Sequence, residues 1–231
     1  MKVTKLSIII PSYNEADTIL KVIKRVQDVN LGKIKKEIIV VDDGSTDKTS
    51  QVLSRFKIHD SRFMILRHKV NLGKGAAVKS ALKKVTGDVL VIQDADFEYN
   101  PKDYNLLLKP IIEGNADVVF GSRFISTQPR RVLYFWHSVG NNFLTTFSNI
   151  FTNLNLTDME TGYKMFTKKV ADKLNLKENR FGFEPEFTAK VAKMGCRVYE
   201  VGISYSGRTY KEGKKIRGID GLLAIWYILK F

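Results

Sequence analysis

The sequence predicts an α/β protein whose mostly parallel sheet is flanked by helices on both faces. Short apolar runs of strand length recur in the first half, at 6–10 (LSIII), 37–41 (EIIVV), 89–92 (VLVI) and 117–120 (DVVF), with helical stretches between them. Apolar strands alternating with helices are those of a parallel sheet buried on both sides. The 231 residues, 44% hydrophobic, suffice for one sizeable core.

After the first strand, Ile19, Val22, Ile23 and Val26 recur at helical spacing, which makes strand, loop, helix the first unit. The second run ends in the turn-rich DDGSTD and a polar helix to about Phe56. A short third strand, Met64 to Leu66, leads through HKVNLGKG into a helix carrying Ala76, Val78, Ala81 and Leu82. The fourth strand ends at QDADFEYN, where Asn100 caps a helix with Pro101 at its first position, the place where a missing N–H costs least. The fifth ends at GSRF. Beyond Phe124 an aromatic-rich helical stretch (RRVLYFWHSVGNNFLTTFSNIF) gives way to mixed elements and a basic tail. No Gly/Ser or Pro linker divides the chain, so one domain is expected over 1–231, with halves at 1–124 and 125–231.

Lys and Arg number 38 against 24 Asp and Glu, a formal charge of +14 that biases the chain toward anionic partners. Among nucleic acid, phosphorylated metabolites and anionic membrane, nucleic acid is the weakest, because there is no zinc finger, RNP signature or long basic run. The single cysteine, Cys196, excludes an internal disulfide, and His59, His68 and His137 lack metal-ligand spacing. A reducing compartment and no zinc site are expected. The first apolar run breaks at Pro11, too early for a signal segment or a membrane span, so a cytoplasmic protein, soluble or peripheral, is expected.

Ligands of open parallel sheets bind outside the carboxyl ends of the strands. Ser12 to Glu15, Asp42 to Ser45, Asn71 to Gly75, Asp94 to Glu98 and Gly121 to Arg123 all follow strands or lie in strand–helix loops, and should converge on one crevice. Asp94 and Asp96 can both face a cation if the chain kinks between them, and hard oxygen ligands suit Mg²⁺ or Mn²⁺ on a diphosphate. Alone, the pair fits a polar turn equally well; the apolar strand before it and the acidic strand end at Asp42-Asp43 favour the metal. Asp42 and Asp43, acceptors only when ionised, suit a nucleobase N–H and ribose hydroxyls, although DDGST is also good turn chemistry. Asn71 to Gly75 sets Lys74 and two glycines before a helix start, where phosphate can bind, without being a Walker loop. PSYNE after the first strand, in place of GxGxxG, removes the main support for a nicotinamide dinucleotide.

Together, IIIPSYNEA, VVDDGSTDKT, NLGKGAA, QDADFEYNP and GSRF, in this order and spacing, closely resemble the inverting glycosyltransferases of family 2, which have the GT-A fold. In the second half DMETGYKMF (158–166), FGFEPEFTAKV (181–191) and RTYKEGKKI (208–216) look like the branch that transfers sugars to polyprenyl phosphates, the relatives of dolichyl-phosphate mannose and glucose synthases. The resemblance implies that residues 1–124 bind a nucleotide-sugar donor and 125–231 face the acceptor. It implies a nucleoside site at Pro11, Tyr13, Glu15 and Asp42, with Asp43 beside it. Lys74, Arg208 and Lys214 would meet the diphosphate, and Asp94, Asp96 and Glu98, with Ala95 between the first two, would hold Mg²⁺ or Mn²⁺ on it. Asp96 and Arg123 would serve catalysis, Arg123 near the sugar or acceptor phosphate. Many relatives have Gln where Glu98 stands, and mannose-synthase relatives carry arginine where His137 falls.

The expected reaction is inverting transfer of a hexose to a polyprenyl phosphate. UDP-glucose is favoured over GDP-mannose because the second-half motifs look closer to the bacterial glucosyl branch. A phosphate acceptor is already ionised near neutral pH; a saccharide hydroxyl, the alternative acceptor, needs a base, for which Asp158 comes first. Glu184 and Glu186 stand behind it, bracketing Pro185 at a helix start where acids are favoured regardless of catalysis. A non-catalytic nucleotide-sugar binding protein is a third reading, against which the intact Asp94 and Asp96 weigh. Val139, Phe143, Phe147 and Phe151 form one helical stripe, of a kind that is usually core. The C-terminal LLAIWYILKF is too short to span a bilayer but suits its interface, with Lys211, Lys214, Lys215 and Arg217 facing anionic headgroups. A peripheral enzyme on the cytoplasmic face of the membrane is expected, with room for a membrane-protein partner.

Overall fold

The computed structural model describes residues 1–56, 63–125, 131–132, 134–180, 182–207 and 218–231, the last segment from 221 onward for side chains. At its centre β1 (Lys5–Ser12) and β2 (Lys35–Asp42) run parallel and in step from Lys5↔Lys35 to Ser12↔Asp42, so their polar ends finish level. Strand β3 (Phe63–Arg67) extends the sheet beyond β2, and β4 (Val89–Ile92) lies on the other side of β1, both parallel to their neighbours. Strand β5 (Val118–Ser122) pairs in parallel with β7 (Val198–Gly202). Between β4 and β5 runs β6 (Lys164–Thr167), antiparallel to both, which gives a seven-stranded sheet of order β3-β2-β1-β4-β6-β5-β7.

The side-chain alternation of a strand divides each apolar run between two cores. Ile8, Ile10, Ile38, Val40, Val89 and Val91 face one layer with α1 (Ile19–Asp28) and α4 (Tyr104–Ile112). Ile9, Ile39, Val41, Leu90 and Ile92 face the other with α3 (Lys74–Leu82), α6 (Lys168–Lys173) and α7 (Phe183–Lys193). Helix α2 (Thr49–Arg55) flanks α1, and α5 (Phe135–Thr152) packs on α7 and α8 (Gly218–Lys230). The predicted helix face Ile19, Val22, Ile23, Val26 is buried, and the Asn100 side chain accepts from Lys102 N at 3.2 Å to open a 3₁₀ turn, Pro101–Asp103, leading into α4.

Two features depart from expectation. Strand β6 opens on a lysine, and Lys164 is nonetheless fully buried, its ammonium donating to Met159 O at 3.0 Å and Thr161 O at 2.5 Å. These carbonyls replace the water that a buried cation would otherwise demand. The α5 stripe is surface and not core: Val139, Phe143 and Phe151 are exposed and only Phe147 is partly buried against the apolar layer. Among the described residues no helix is long and apolar enough to cross a membrane.

Candidate active site

The loops after β1 and β2 are locked together. Asp43 N donates to Ser12 O at 2.8 Å, and Asn14, in the left-handed region at φ 54°, receives Thr46 N on its Oδ1 at 2.8 Å while its own N–H donates to Ser45 Oγ. Asn tolerates that backbone better than other non-glycine residues. Asp42 is buried at the β2 terminus, accepting Ser45 N at 3.0 Å and the Ser50 hydroxyl, with Arg67 Nε 3.6 Å away. A cavity of about 330 Å³ opens here, lined by Gly44, Ser45, Arg67, His68 and Lys69. Tyr13 is exposed, and Pro11 and Glu15 are half-buried on the same loop, where Glu15 N donates to Thr49 Oγ1 and its carboxylate accepts Thr18 Oγ1 at 2.8 Å.

Asp43 has a different task from Asp42. Its Oδ1 meets His68 Nδ1 at 2.6 Å and Leu72 N at 3.0 Å; its Oδ2 accepts Asn71 Nδ2 at 2.9 Å and Gly73 N at 2.7 Å. A carboxylate offers about four acceptor positions, and four donors fill them. Asp43 therefore clamps the Asn71–Gly75 loop. Gly73 sits at φ 105°, closed to side chains, where a Cβ would strike Asn179 and Arg180. Ala76 N, at the start of α3, donates to Asn179 O at 3.0 Å. The Leu72, Gly73 and Ala76 N–H groups are thus spent inside the protein.

Lys74 reaches across to two carboxylates, Asp94 Oδ1 at 2.9 Å and Glu184 Oε1 at 3.0 Å. Burial opposes its charge, but Asp94 and Glu184 outweigh it and hold the ammonium well above the ordinary lysine value. On the far side of Asp94 lies Gly162, where a Cβ would collide with the Asp94 Oδ2. Beneath, Gln93 is fully buried, its amide donating to Asp94 O and its Oε1 taking the Tyr104 and Tyr163 hydroxyls at 2.7 Å each. Ala95 is buried between the two aspartates, and Asp96 closes the turn by accepting Glu98 N at 3.1 Å. Glu98 faces the second half, its Oε2 accepting the Tyr205 hydroxyl at 2.9 Å.

At the end of β5, Arg123 is gripped by Asp158. Its Nε and backbone N lie 2.7 and 3.0 Å from Asp158 Oδ2, and its Nη2 lies 2.7 Å from Oδ1. Asn141 takes Nη2 at 2.9 Å, and the guanidinium lies 5.4 Å from the centre of the Tyr205 ring. Burial opposes the charge, yet Asp158 holds Arg123 well above its ordinary value. Asp158 is itself wholly inaccessible, and its N–H donates to Glu200 Oε1 at 3.0 Å. Both carboxylate oxygens accept from Arg123, which makes Asp158 its holder.

The model of the family described as glycosyl transferase family 2 matches residues 7–174. The chain belongs to that family. It is 26% identical over 214 residues to a dolichyl-phosphate beta-glucosyltransferase of Trichomonas vaginalis, across 87% of this chain and 65% of that protein. It is 25% identical to the glycosyltransferase AglD of Haloferax volcanii, across 97% of this chain but 37% of that one. An uncharacterized protein of Methanocaldococcus jannaschii, 25% identical, is matched over 91% of its length. Glucosyl-3-phosphoglycerate synthase of Mycobacterium tuberculosis, solved with Mn²⁺, UDP and glucosyl-3-phosphoglycerate, superposes with a TM-score of 0.73 at 19% identity, over 98% of this chain and 79% of that one. That likeness shows the fold, which is of GT-A type, and the protein is a glycosyltransferase.

The residues that would hold a divalent ion are Asp94 and Asp96. Asp94 and Asp96 supply hard oxygen donors at one strand end, and a cation, the Lys74 ammonium, already rests on Asp94. Mg²⁺ commonly takes one or two carboxylates and completes its shell with phosphates and water, so the residues fit. Among the described residues no group of three acidic, histidine or cysteine side chains is gathered closely enough to hold a metal, and Glu98 accepts the Tyr205 hydroxyl. Arg208 and Lys214, expected at the diphosphate, and Lys211, Lys215 and Arg217, expected at the membrane, lie outside the described residues, as does His59.

Sequence reasoning passed over Glu160. One of its carboxylate oxygens is buried without a hydrogen-bond partner. Burial, reinforced by the Glu184 carboxylate, pushes the group up to about 7, against the pull of Lys164 and Arg123. Its folded value lies above the unfolded one, so the fold keeps a proton that the unfolded chain releases. Stability is therefore expected to fall as pH rises from the ordinary glutamate value of 4.5 through about 7. Lys164, pushed down by burial to about 8, stays protonated through that window and adds no slope. Urea unfolding across this range should show the decline, and Glu160→Gln should flatten it; an unaltered slope would disprove the assignment.

Proposed function

We propose that the protein is an inverting hexosyltransferase that uses Mg²⁺ or Mn²⁺ and moves a hexose, with UDP-glucose the favoured donor, to a polyprenyl phosphate. The observation that carries this reading is two cations held by carboxylates at strand ends: Lys74 on Asp94 after β4, and Arg123 on Asp158 at the end of β5, the latter against the Tyr205 ring that packs on Tyr99. Two cations suit two phosphoryl groups, the donor's diphosphate and the acceptor's phosphate. The relatives named dolichyl-phosphate beta-glucosyltransferase support the acceptor and the glucose. The structural neighbour solved with UDP and Mn²⁺ supports the base and the ion.

In this reading Asp42, with Pro11, Tyr13 and Glu15, takes the nucleoside over the cavity beside Arg67. Lys74 meets the diphosphate, and Asp94 and Asp96 hold the divalent ion, which when bound neutralises charge on the leaving nucleoside diphosphate. Arg123 positions the acceptor phosphate, one of whose oxygens forms the new bond to the anomeric carbon as the bond to the diphosphate oxygen breaks. That oxygen is already ionised, so no protein base is required, in keeping with Asp158 being committed to Arg123. A panel of nucleotide sugars with Mn²⁺, with and without undecaprenyl phosphate, read by mass spectrometry of the lipid, tests the reading. Glucosyl-lipid formed from UDP-glucose is the expected product; transfer to a saccharide hydroxyl alone would overturn the acceptor.

Membrane association belongs to the same proposal. Helices α5 and α8 pack together and expose Phe135, Trp136, Phe143, Leu222 and Trp226, with Trp136 77% and Trp226 61% accessible. Aromatic residues on paired helices suit the headgroup boundary, and the charge of +14 suits anionic lipid. The protein is expected to sediment with anionic vesicles at low salt, and Trp136→Glu with Trp226→Glu to lower the bound fraction severalfold. Protein left wholly in the supernatant would remove the membrane from the proposal.

A further inference from the structure

We propose that Lys74 is the resident counter-cation of Asp94 in the donor-free enzyme, exchanged for the divalent ion when the nucleotide sugar arrives and retained at that moment by Glu184. This rests on Asp94 being a ligand of that ion. The three charges come from three separate elements: Lys74 opens α3, Asp94 follows β4, and Glu184 stands in the first turn of α7. Their side chains are 28%, 22% and 10% accessible, at 2.9 and 3.0 Å separations.

Asp94 has little freedom to serve both cations. Its Oδ2 occupies the space that a side chain at Gly162 would fill, while the ammonium occupies Oδ1. A divalent ion arriving on this carboxylate stands close to a like charge that partial burial leaves poorly screened. Without nucleotide, then, the ion competes with an intramolecular lysine that does not diffuse away. With nucleotide, the diphosphate brings negative charge for both cations, and Glu184 keeps the lysine within reach while it leaves Asp94. Glu184 thereby links ion binding to α7 and to Glu160, whose carboxyl feels the Glu184 charge. The ion and the nucleotide are expected to bind cooperatively, each weak alone.

Mn²⁺ titrations followed by the electron paramagnetic resonance of the free ion, with and without UDP, test this on the whole protein. Without UDP, Lys74→Met should bind Mn²⁺ on the order of tenfold more tightly than the parent, the effect of removing one neighbouring like charge. Glu184→Gln, which leaves Lys74 to Asp94 alone, should bind it more weakly. With UDP the advantage of Lys74→Met should shrink or reverse, because the ammonium then serves the diphosphate. A folded Lys74→Met that binds Mn²⁺ no better than the parent without UDP overturns the exchange. Unchanged affinity in Glu184→Gln does so as well, and it decides the matter should Lys74→Met fail to fold. If no protein binds Mn²⁺ even at saturating UDP, the metal reading itself falls and the exchange with it.

Discussion

Asp96→Asn is expected to lower hexose transfer by about a thousandfold or more while leaving the fold intact. The substitution removes one charge and one hard ligand from the strand end, and electrostatic support of a leaving group commonly contributes several kcal/mol, at roughly 1.4 kcal/mol per tenfold in rate. Asn keeps the acceptor that Asp96 offers to Glu98 N, so the turn should persist. Thermal unfolding within a degree or two of the parent, together with weakened Mn²⁺ binding in the presence of UDP, separates lost chemistry from lost structure. Asp43→Asn provides the contrast. One of its oxygens becomes an amide donor facing donors, in a clamp that joins His68, Asn71, Leu72 and Gly73, so stability should drop by about 1–3 kcal/mol. Turnover unchanged in Asp96→Asn would show that the ion, where it binds, is not held there for catalysis.

The contrast between neighbouring aspartates marks what a sequence can carry. Strand ends were legible because Ile, Val and Leu runs stop where Ser12, Asp42, Asp94 and Arg123 begin, and a parallel sheet must place those ends together. Which of Asp42 and Asp43 clamps the Asn71–Gly75 loop was not legible, since it depends on that loop, thirty residues on, supplying Leu72 N and Gly73 N. Strand β6 was missed because four residues beginning with lysine carry no strand signal; it exists because Met165 and Phe166 fill opposite faces of the gap between β4 and β5. Glu160 lay hidden within a motif quoted for its resemblance. Its unpartnered oxygen follows from burial among Lys164, Arg123 and Glu184, which only the packing reveals. Gly162 has a recoverable logic: a glycine two residues from that acid signals close approach, and here the neighbour is the Asp94 carboxylate.

Asp158→Asn separates two roles that its burial and its partners set against each other. As the holder of Arg123, Asp158 makes a two-pronged pair at 2.7 Å and is itself inaccessible, with Arg123 14% accessible, so its loss strands a largely buried guanidinium. Breaking such a pair costs about 3–5 kcal/mol, toward the lower end when an amide oxygen remains. Transfer should fall by about a hundredfold, the scale expected when a positioning group shifts by an ångström. The residual activity should keep the parent's pH profile, and the loss should appear in both KM for the lipid phosphate and kcat. As a base, Asp158 would take the acidic limb of the pH profile with it on becoming Asn, whatever the cost in stability. Arg123→Met combined with Asp158→Leu sharpens the test. Replacing both partners by apolar groups should restore much of the lost stability, because neither charge is left buried alone. Activity should stay low, because the cation aimed at the acceptor phosphate is gone; recovery of transfer in that double variant would mean Arg123 serves only the fold.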